Sequence, residues 1–265
     1  MQNDSNASPR EQRAVEVFTR LFGERDESAP DPHPEFGRIL RSVIFGEVFA
    51  TGDLDDRTRE LITVTALGTL QTLPQLKAHA NAALNVGVTP VELQEAMYQL
   101  APMIGFPRAL NAIGVVSEVL TARGEQLPLP PQGTVTEADR HERGLAIQRE
   151  LYGDEIADAL AGLPGGFAEA VPAFLTDFTF GDFWTRGGLD VPMRELLALV
   201  TYAGLGLDRQ LRPHVRGCVQ AGHTVETVLA ALVQAFPYIG FPAALNAIRI
   251  VQEYLEERGE ESGGE

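Results

Sequence analysis

The hydrophobic positions gather into two nearly all-apolar runs, one including Leu61-Ile62 and the other Leu196-Leu197. A helix that is apolar on most of its faces is a buried helix. Asp55 and Asp190, just upstream, suit the N-cap, where a carboxylate accepts the unpaired amides of the first turn. After a break at Leu73-Pro74 or Gly206-Leu207, the stripe Leu76, His79, Ala83 and Val86 has helical spacing. A second helix is therefore expected, ending near Gly87 or Gly222, where glycine suits a left-handed C-cap. Thr89-Pro90-Val91-Glu92 joins a capping box to a proline at the first helical position and starts a third helix. A last helix opens at Pro107 or Pro242, after a Gly-Phe bend whose phenylalanine is expected to fill the core. No stretch alternates apolar and polar residues between turn signals, so the expected fold is all-α.

The pattern occurs twice. At a spacing of 135 residues, Arg59-Glu60-Leu61 recurs as Arg194-Glu195-Leu196, His79 as His214, and Gly105-Phe106-Pro107 as Gly240-Phe241-Pro242. Leu110-Asn111-Ala112-Ile113 recurs as Leu245-Asn246-Ala247-Ile248. Upstream, Arg13 to Gly23 pairs with Arg143 to Gly153 at a spacing of 130, so a five-residue insertion separates the two registers. Such self-similarity marks a duplicated supersecondary unit. The organisation read from it is a disordered tail over 1–12, a first repeat over 13–123, a proline-rich linker over 124–138, a second repeat over 139–258 and a disordered tail over 259–265.

Composition narrows the function. With 265 residues and 44% hydrophobic content the chain can build real cores, but its net charge of −16 opposes nucleic acid and anionic membrane surfaces. No apolar run approaches the ~18 residues of a membrane span, and the first residues lack the apolar core of a signal peptide, so a cytoplasmic protein is expected. Cys218 is the sole cysteine, which rules out an intramolecular disulfide and a CxxC pair. The sole lysine, Lys77, stands opposite Arg212, which argues against Schiff-base chemistry shared by both copies.

The candidate chemistry is the pair Glu60 and His79 and its recurrence, Glu195 and His214. On consecutive helices of an antiparallel hairpin a carboxylate meets an imidazole, fixes its tautomer and makes a general acid–base pair usable near neutrality. The competing reading is a satisfied core histidine. Arg59 and Arg194 are candidates for a substrate carboxylate or for surface partners. Trp184 beside Arg186 suggests an aromatic wall with a carboxylate hook in the second copy, where the first has Phe49 and Thr51. Asn111 and Asn246 read as buried amides bonding helix-end carbonyls. Cys218, opposite Ala83, reads as a small buried apolar residue. One His and one Glu per copy fall short of a metal site, so neither metal nor cofactor is expected.

At these residues the chain resembles the carboxymuconolactone decarboxylase superfamily, which includes the alkylhydroperoxidase D proteins. The carriers are RELITVTALGTLQTLPQLKAHANAALNVGVT with GFPRALNAI, and RELLALVTYAGLGLDRQLRPHVRGCVQAGHT with GFPAALNAI. The resemblance implies two tandem helical repeats forming a pseudo-symmetric bundle. It also implies that Glu60, His79, Glu195 and His214 occupy proton-relay positions. The peroxidase branch's redox cysteines would fall at Thr72 and Gln75, and at Leu207 and Gln210, so a dithiol cycle is not implied. The decarboxylase branch is similar over ERGLAIQRELYGDE and FGDFWTRGGLDVPMRELL. It implies cofactor-free decarboxylation of a small carboxylated unsaturated lactone, with Glu195 orienting His214 and with Arg186 or Arg194 binding carboxylate. Single-repeat relatives form rings, which implies a homotrimer of the fused pair. The rivals are a peroxidase using Cys218 alone and a non-catalytic assembly or ligand-binding protein.

Overall fold

The computed structural model describes residues 8–25 and 30–262. Among them every regular element is helical. The first half runs α1 (Pro9–Phe22), α2 (Pro34–Ile44), a short 3-10 turn (Val48–Ala50), α3 (Asp56–Thr69), α4 (Leu73–Asn85), α5 (Pro90–Tyr98), α6 (Ala101–Ile104) and α7 (Phe106–Ala122). The second runs α8 (Arg140–Tyr152), α9 (Glu155–Leu160), α10 (Phe167–Phe174), a π-helical stretch (Leu175–Trp184), α11 (Val191–Leu205), α12 (Asp208–Gln220), α13 (Val225–Ile239) and α14 (Phe241–Ser262).

The expected caps are in place. Asp55 accepts the amide of Thr58 at 2.7 Å and Asp190 that of Met193 at 2.9 Å. Thr89 and Glu92 form the capping box of α5. Beyond these caps, α3 and α11 lose nearly all exposure, and they pack against each other at the centre of the molecule. Thr69 and Thr201 meet across that contact, their hydroxyls 3.4 Å apart. A single apolar cluster takes in Leu61, Ile62 and Val64 of one repeat and Leu196, Leu197 and Val200 of the other. The repeats therefore share one core, with burial worth roughly 1.5–3 kcal/mol for each large aliphatic side chain. The linker crosses the surface and docks on the second half, where the Gly187 amide donates to the Gln132 carbonyl at 2.9 Å.

Several expectations need correction. Residues 9–12, assigned to a disordered tail, are the first turn of α1: Ser8 donates its amide to Glu11 at 2.9 Å and Pro9 opens the helix. Residues 259–262, assigned to the other tail, continue α14, because a glutamate- and arginine-rich stretch propagates a helix without an apolar face. The rest of both tails, 1–7 and 263–265, lies outside the described residues. Leu73-Pro74 opens α4 rather than breaking the chain; the break is Leu70–Thr72. Phe106 and Phe241 do not fill the core, being 57% and 55% exposed. Gly105, at φ 82°, swings the first turn of α7 outward, and Phe106 packs on Phe178 with centroids 5.3 Å apart. Asn111 and Asn246 are exposed as well, and Asn111 donates to the Gln71 side chain at 2.9 Å.

Candidate active site

The hairpins α3–α4 and α11–α12 bring each glutamate to its histidine. Glu60 Oε2 lies 2.9 Å from His79 Nδ1, and Glu195 Oε2 lies 2.9 Å from His214 Nδ1. Both carboxylates are fully buried, and the imidazoles are 11% and 14% exposed, so each ring reaches the surface only at its edge.

The surroundings of the two pairs differ. In the second repeat, Tyr152 at the end of α8 donates to Glu195 Oε2 at 2.5 Å, and its oxygen lies 2.8 Å from His214 Nδ1. Trp184, at the end of the π-helical stretch, donates its indole N–H to Glu195 Oε1 at 3.0 Å. Tyr202, two turns after Glu195 on α11, lays its ring over His214 with centroids 4.6 Å apart. Gly217, one turn past His214, lets these groups converge: a Cβ there would stand 2.8 Å from Glu195 Oε2 and 2.9 Å from the Tyr152 oxygen. In the first repeat, Glu60 Oε1 is buried with no hydrogen-bond partner among the described residues. Phe22 and Tyr238 present ring edges to His79, each with centroids 5.3 Å away.

Electrostatics follow burial. Loss of solvent and the neighbouring Glu195 charge push the Tyr152 phenol well above its usual range, and Tyr202 up to about 12. Both phenols remain protonated at neutral pH. Burial, with Glu195 nearby, likewise pushes the Cys218 thiol well up, so it is held as thiol away from solvent and is a poor nucleophile.

The arginines lie elsewhere. Arg59 is 2% exposed and donates to the carbonyls of Val48, Thr51, Gly52 and Leu54 and to Gln234. Arg194 is 0% exposed and donates to the carbonyls of Arg186 and Gly187 and to Glu95 at 3.0 Å. Both guanidiniums are buried on internal acceptors, backbone carbonyls together with Gln234 for Arg59 and with Glu95 for Arg194, which corrects the expectation that they reach a substrate carboxylate. Arg186 grips both oxygens of Glu95, at 2.9 and 2.8 Å, and lies 5.4 Å from the centroid of Tyr98. Its remaining edge borders a cleft of about 470 Å³ lined by Tyr98, Phe106, Leu110, Ile113 and Phe183. Trp184 is 3% exposed, so it is a hydrogen-bond donor inside the site and not a wall in solvent. Sequence reasoning missed Tyr152, Tyr202 and Gly217. The available signal was the difference between copies at Phe22, Leu67 and Ala82, set against an unchanged Glu–His pair.

Among the described residues no group of three or more His, Cys, Asp or Glu gathers as metal ligands, and no helix is long and apolar enough to cross a membrane. The model of the carboxymuconolactone decarboxylase family matches residues 34–118 and again 169–253. The chain is 25% identical over 125 residues to the 4-carboxymuconolactone decarboxylase of Acinetobacter baylyi, a match covering 47% of this chain and 93% of that protein. It is 25% identical over 116 residues to nitrosuccinic acid decarboxylase of Metarhizium robertsii, covering 44% of this chain and 81% of that one. A crystal structure from Burkholderia xenovorans, named for a gamma-carboxymuconolactone decarboxylase subunit, superposes with a TM-score of 0.54 at 23% identity, covering 94% of this chain and 98% of that one. It shares the fold over nearly the whole length of both chains. The chain therefore belongs to the carboxymuconolactone decarboxylase family, as a tandem member with two copies of the unit.

Proposed function

We propose that the protein is a cofactor-independent decarboxylase, or a closely related proton-transfer enzyme, acting on a small carboxylated unsaturated lactone at the second repeat. The observation that carries the reading is the buried carboxylate of Glu195 held against His214, with the opposite edge of the imidazole near the surface. Breaking the bond between the substrate's carbon skeleton and its carboxylate releases carbon dioxide and leaves the electron pair delocalised into the lactone carbonyl as a dienolate. His214, as imidazolium, stabilises the growing oxyanion and gives one proton to carbon; the neutral ring then takes a proton back from water. Glu195 orients the ring and balances its positive charge.

A leaving carboxylate loses its charge in the transition state, so a tight cationic partner would stabilise the ground state more than the barrier top. Burial of Arg59 and Arg194 against internal acceptors fits that requirement, and Arg186 serves only the rim of the cleft. Assay of carbon dioxide release from 4-carboxymuconolactone is the direct test. His214→Ala is expected to lose at least about 100-fold in kcat, the scale of general acid catalysis, whereas His79→Ala keeps most of it. Steady turnover by His214→Ala would sink the assignment. Unchanged peroxide consumption by Cys218→Ala would remove the single-thiol alternative.

We also propose assembly as a homotrimer. Apolar residues at matching positions of both repeats are exposed, Ile39 and Phe174 on the outer helices and Leu110 and Leu245 on α7 and α14. Soluble chains rarely leave such faces uncovered. Light scattering should give three times the 28.7 kDa of the chain, and a monomer at all concentrations would refute it.

A further inference from the structure

Both Glu–His pairs have the same 2.9 Å separation, yet three neighbours differ together between the copies. Where the second repeat has Tyr152, Trp184 and Gly217, the first has Phe22, Phe49 and Ala82. All three differences touch one carboxylate. Trp184 satisfies Glu195 Oε1, Tyr152 satisfies Oε2, and the missing side chain of Gly217 leaves the space in which the phenol and carboxylate meet. Glu60, equally buried, has neither donor, and its Oε1 has no partner among the described residues.

The second site also settles where protons sit. Glu195 Oε2, the Tyr152 oxygen and His214 Nδ1 form a triangle with sides of 2.5, 2.8 and 2.9 Å. Three lone-pair atoms this close repel one another unless hydrogens lie between them. One proton belongs to the phenol and points at the carboxylate. The second must lie on Nδ1, shared between the two oxygens, which leaves Nε2 as the nitrogen that meets substrate.

We infer that Tyr152 is a positioning residue that shares the Nδ1 proton of His214 with Glu195, and that Tyr152, Trp184 and Gly217 make the second repeat the proton-transfer site while the first serves as scaffold. The inference rests on the reading of the second Glu–His pair as the reacting pair, and its test needs no substrate. Around the imidazole the other ionisable groups are Glu195 and Tyr202 on α11, Tyr152 on α8 and Cys218 on its own helix. On neighbouring turns of α12, Arg216 pairs with Glu155 at 2.7 Å, and Arg212 pairs with Glu253 and Glu257 of α14. The proton on Nδ1 is thus governed by the triangle, with the nearby arginines already neutralised.

Trp184 is the only tryptophan, so its emission reports on the surroundings of Glu195, and 15N-labelled histidine reports the tautomer of His214. Removing the phenol by Tyr152→Phe leaves Glu195 with one donor fewer and a stronger hold on a charged ring. The pH midpoint of the Trp184 emission change should rise by about one unit, the tenfold change in a proton equilibrium that follows loss of a hydrogen bond to a charged group. The neutral ring should keep its proton on Nδ1, held by Glu195, while the Nδ1 shift moves with loss of the phenol oxygen that shares it. Unchanged emission profile and unchanged 15N shifts would overturn the inference. A graft in the first repeat, Phe22→Tyr with Ala82→Gly, should move the His79 nitrogen shifts toward those of His214. If Tyr152→Phe does not fold, the graft decides alone: no change at His79 overturns the inference. Failure to find decarboxylation would leave every one of these results standing.

Discussion

Replacing Gly217 with alanine adds one methyl group to a buried helix, and the structure gives it an unusual sign. Glycine-to-alanine changes in a helix interior ordinarily stabilise by about 0.5–1 kcal/mol. Here the new carbon would stand 2.8 Å from Glu195 Oε2 and 2.9 Å from the Tyr152 oxygen, with a Tyr152 ring carbon at 3.2 Å. Glu195 is anchored by Trp184 on its other oxygen, so relief must come from parting the phenol and the carboxylate. A hydrogen bond to a charged group is worth about 1.5–3 kcal/mol, which leaves a net loss of about 1–2 kcal/mol after the helix gain. In a chain of this size each kcal/mol corresponds to roughly 2–4 °C in Tm. Calorimetry of the wild type, Gly217→Ala, Tyr152→Phe and the double variant closes a thermodynamic cycle. In the Tyr152→Phe background the site regains the composition of the first repeat at both positions, so Gly217→Ala should become neutral or stabilising there. Additivity within about 0.5 kcal/mol, or stabilisation by Gly217→Ala in the wild-type background, would refute the reasoning.

The remaining predictions concern charge. Glu95→Ala strands the guanidiniums of Arg186 and Arg194 in the interior and should cost about 3–5 kcal/mol in chemical denaturation; a loss under about 1 kcal/mol would show that the cluster is not a structural anchor. Alkaline stability should begin to fall near pH 9, where the unfolded Cys218 thiol ionises, and fall more steeply above pH 10. The unfolded phenol of Tyr202 ionises near 10.0 and the folded one near 12, so between those values the unfolded state is progressively favoured, by about 3 kcal/mol in all. Urea unfolding across that range checks the slope, and Tyr202→Phe should lessen it, leaving the shares of Tyr152, Tyr238 and Cys218. Cys218 should resist alkylation in the folded protein and react only on unfolding; rapid labelling of the native chain would contradict its burial.

Much of this arrangement was legible in the amino-acid order because it depends on local physics. The two caps, the two buried runs and the hairpin spacing that joins each glutamate to its histidine are short-range consequences of residue type. Direction of a side chain is another matter. Arg59 and Arg194 occupy apolar helices, and periodicity alone does not reveal that each guanidinium folds back onto the carbonyls of the preceding loop. Phe106 and Phe241 have the character of core residues, but a glycine at positive φ turns them outward. The π-helical stretch before Trp184 has no pattern that separates it from an ordinary helix; its wider turn, common at functional sites, ends at the indole that reaches Glu195. Tyr152 comes from a helix more than forty residues away in the chain, so its partnership with Glu195 exists only in the tertiary structure.

The two repeats are unequal in a further respect that ties scaffold to site. The segment that delivers Trp184 runs on into Arg186 and Gly187, and its hold comes from the other half of the molecule. Glu95 on α5 of the first repeat binds Arg186, two residues after Trp184, and Arg194, one residue before Glu195. It thus grips both ends of the loop whose two flanks meet in the Trp184–Glu195 hydrogen bond. No reciprocal clamp exists at the same position of the second repeat: the counterpart of Glu95 is Ala230, which approaches Gly52 closely enough that a Cβ there would stand only 2.4 Å away. Packing of that kind positions Arg59 through backbone carbonyls and Gln234, without an ion pair. A carboxylate buried at the repeat interface therefore acts in one direction, from the first copy onto the second. The copy with the sparser Glu–His pair holds in place the loop on which the richer pair depends, so a second repeat expressed without the first would keep its residues and lose the geometry that aligns them.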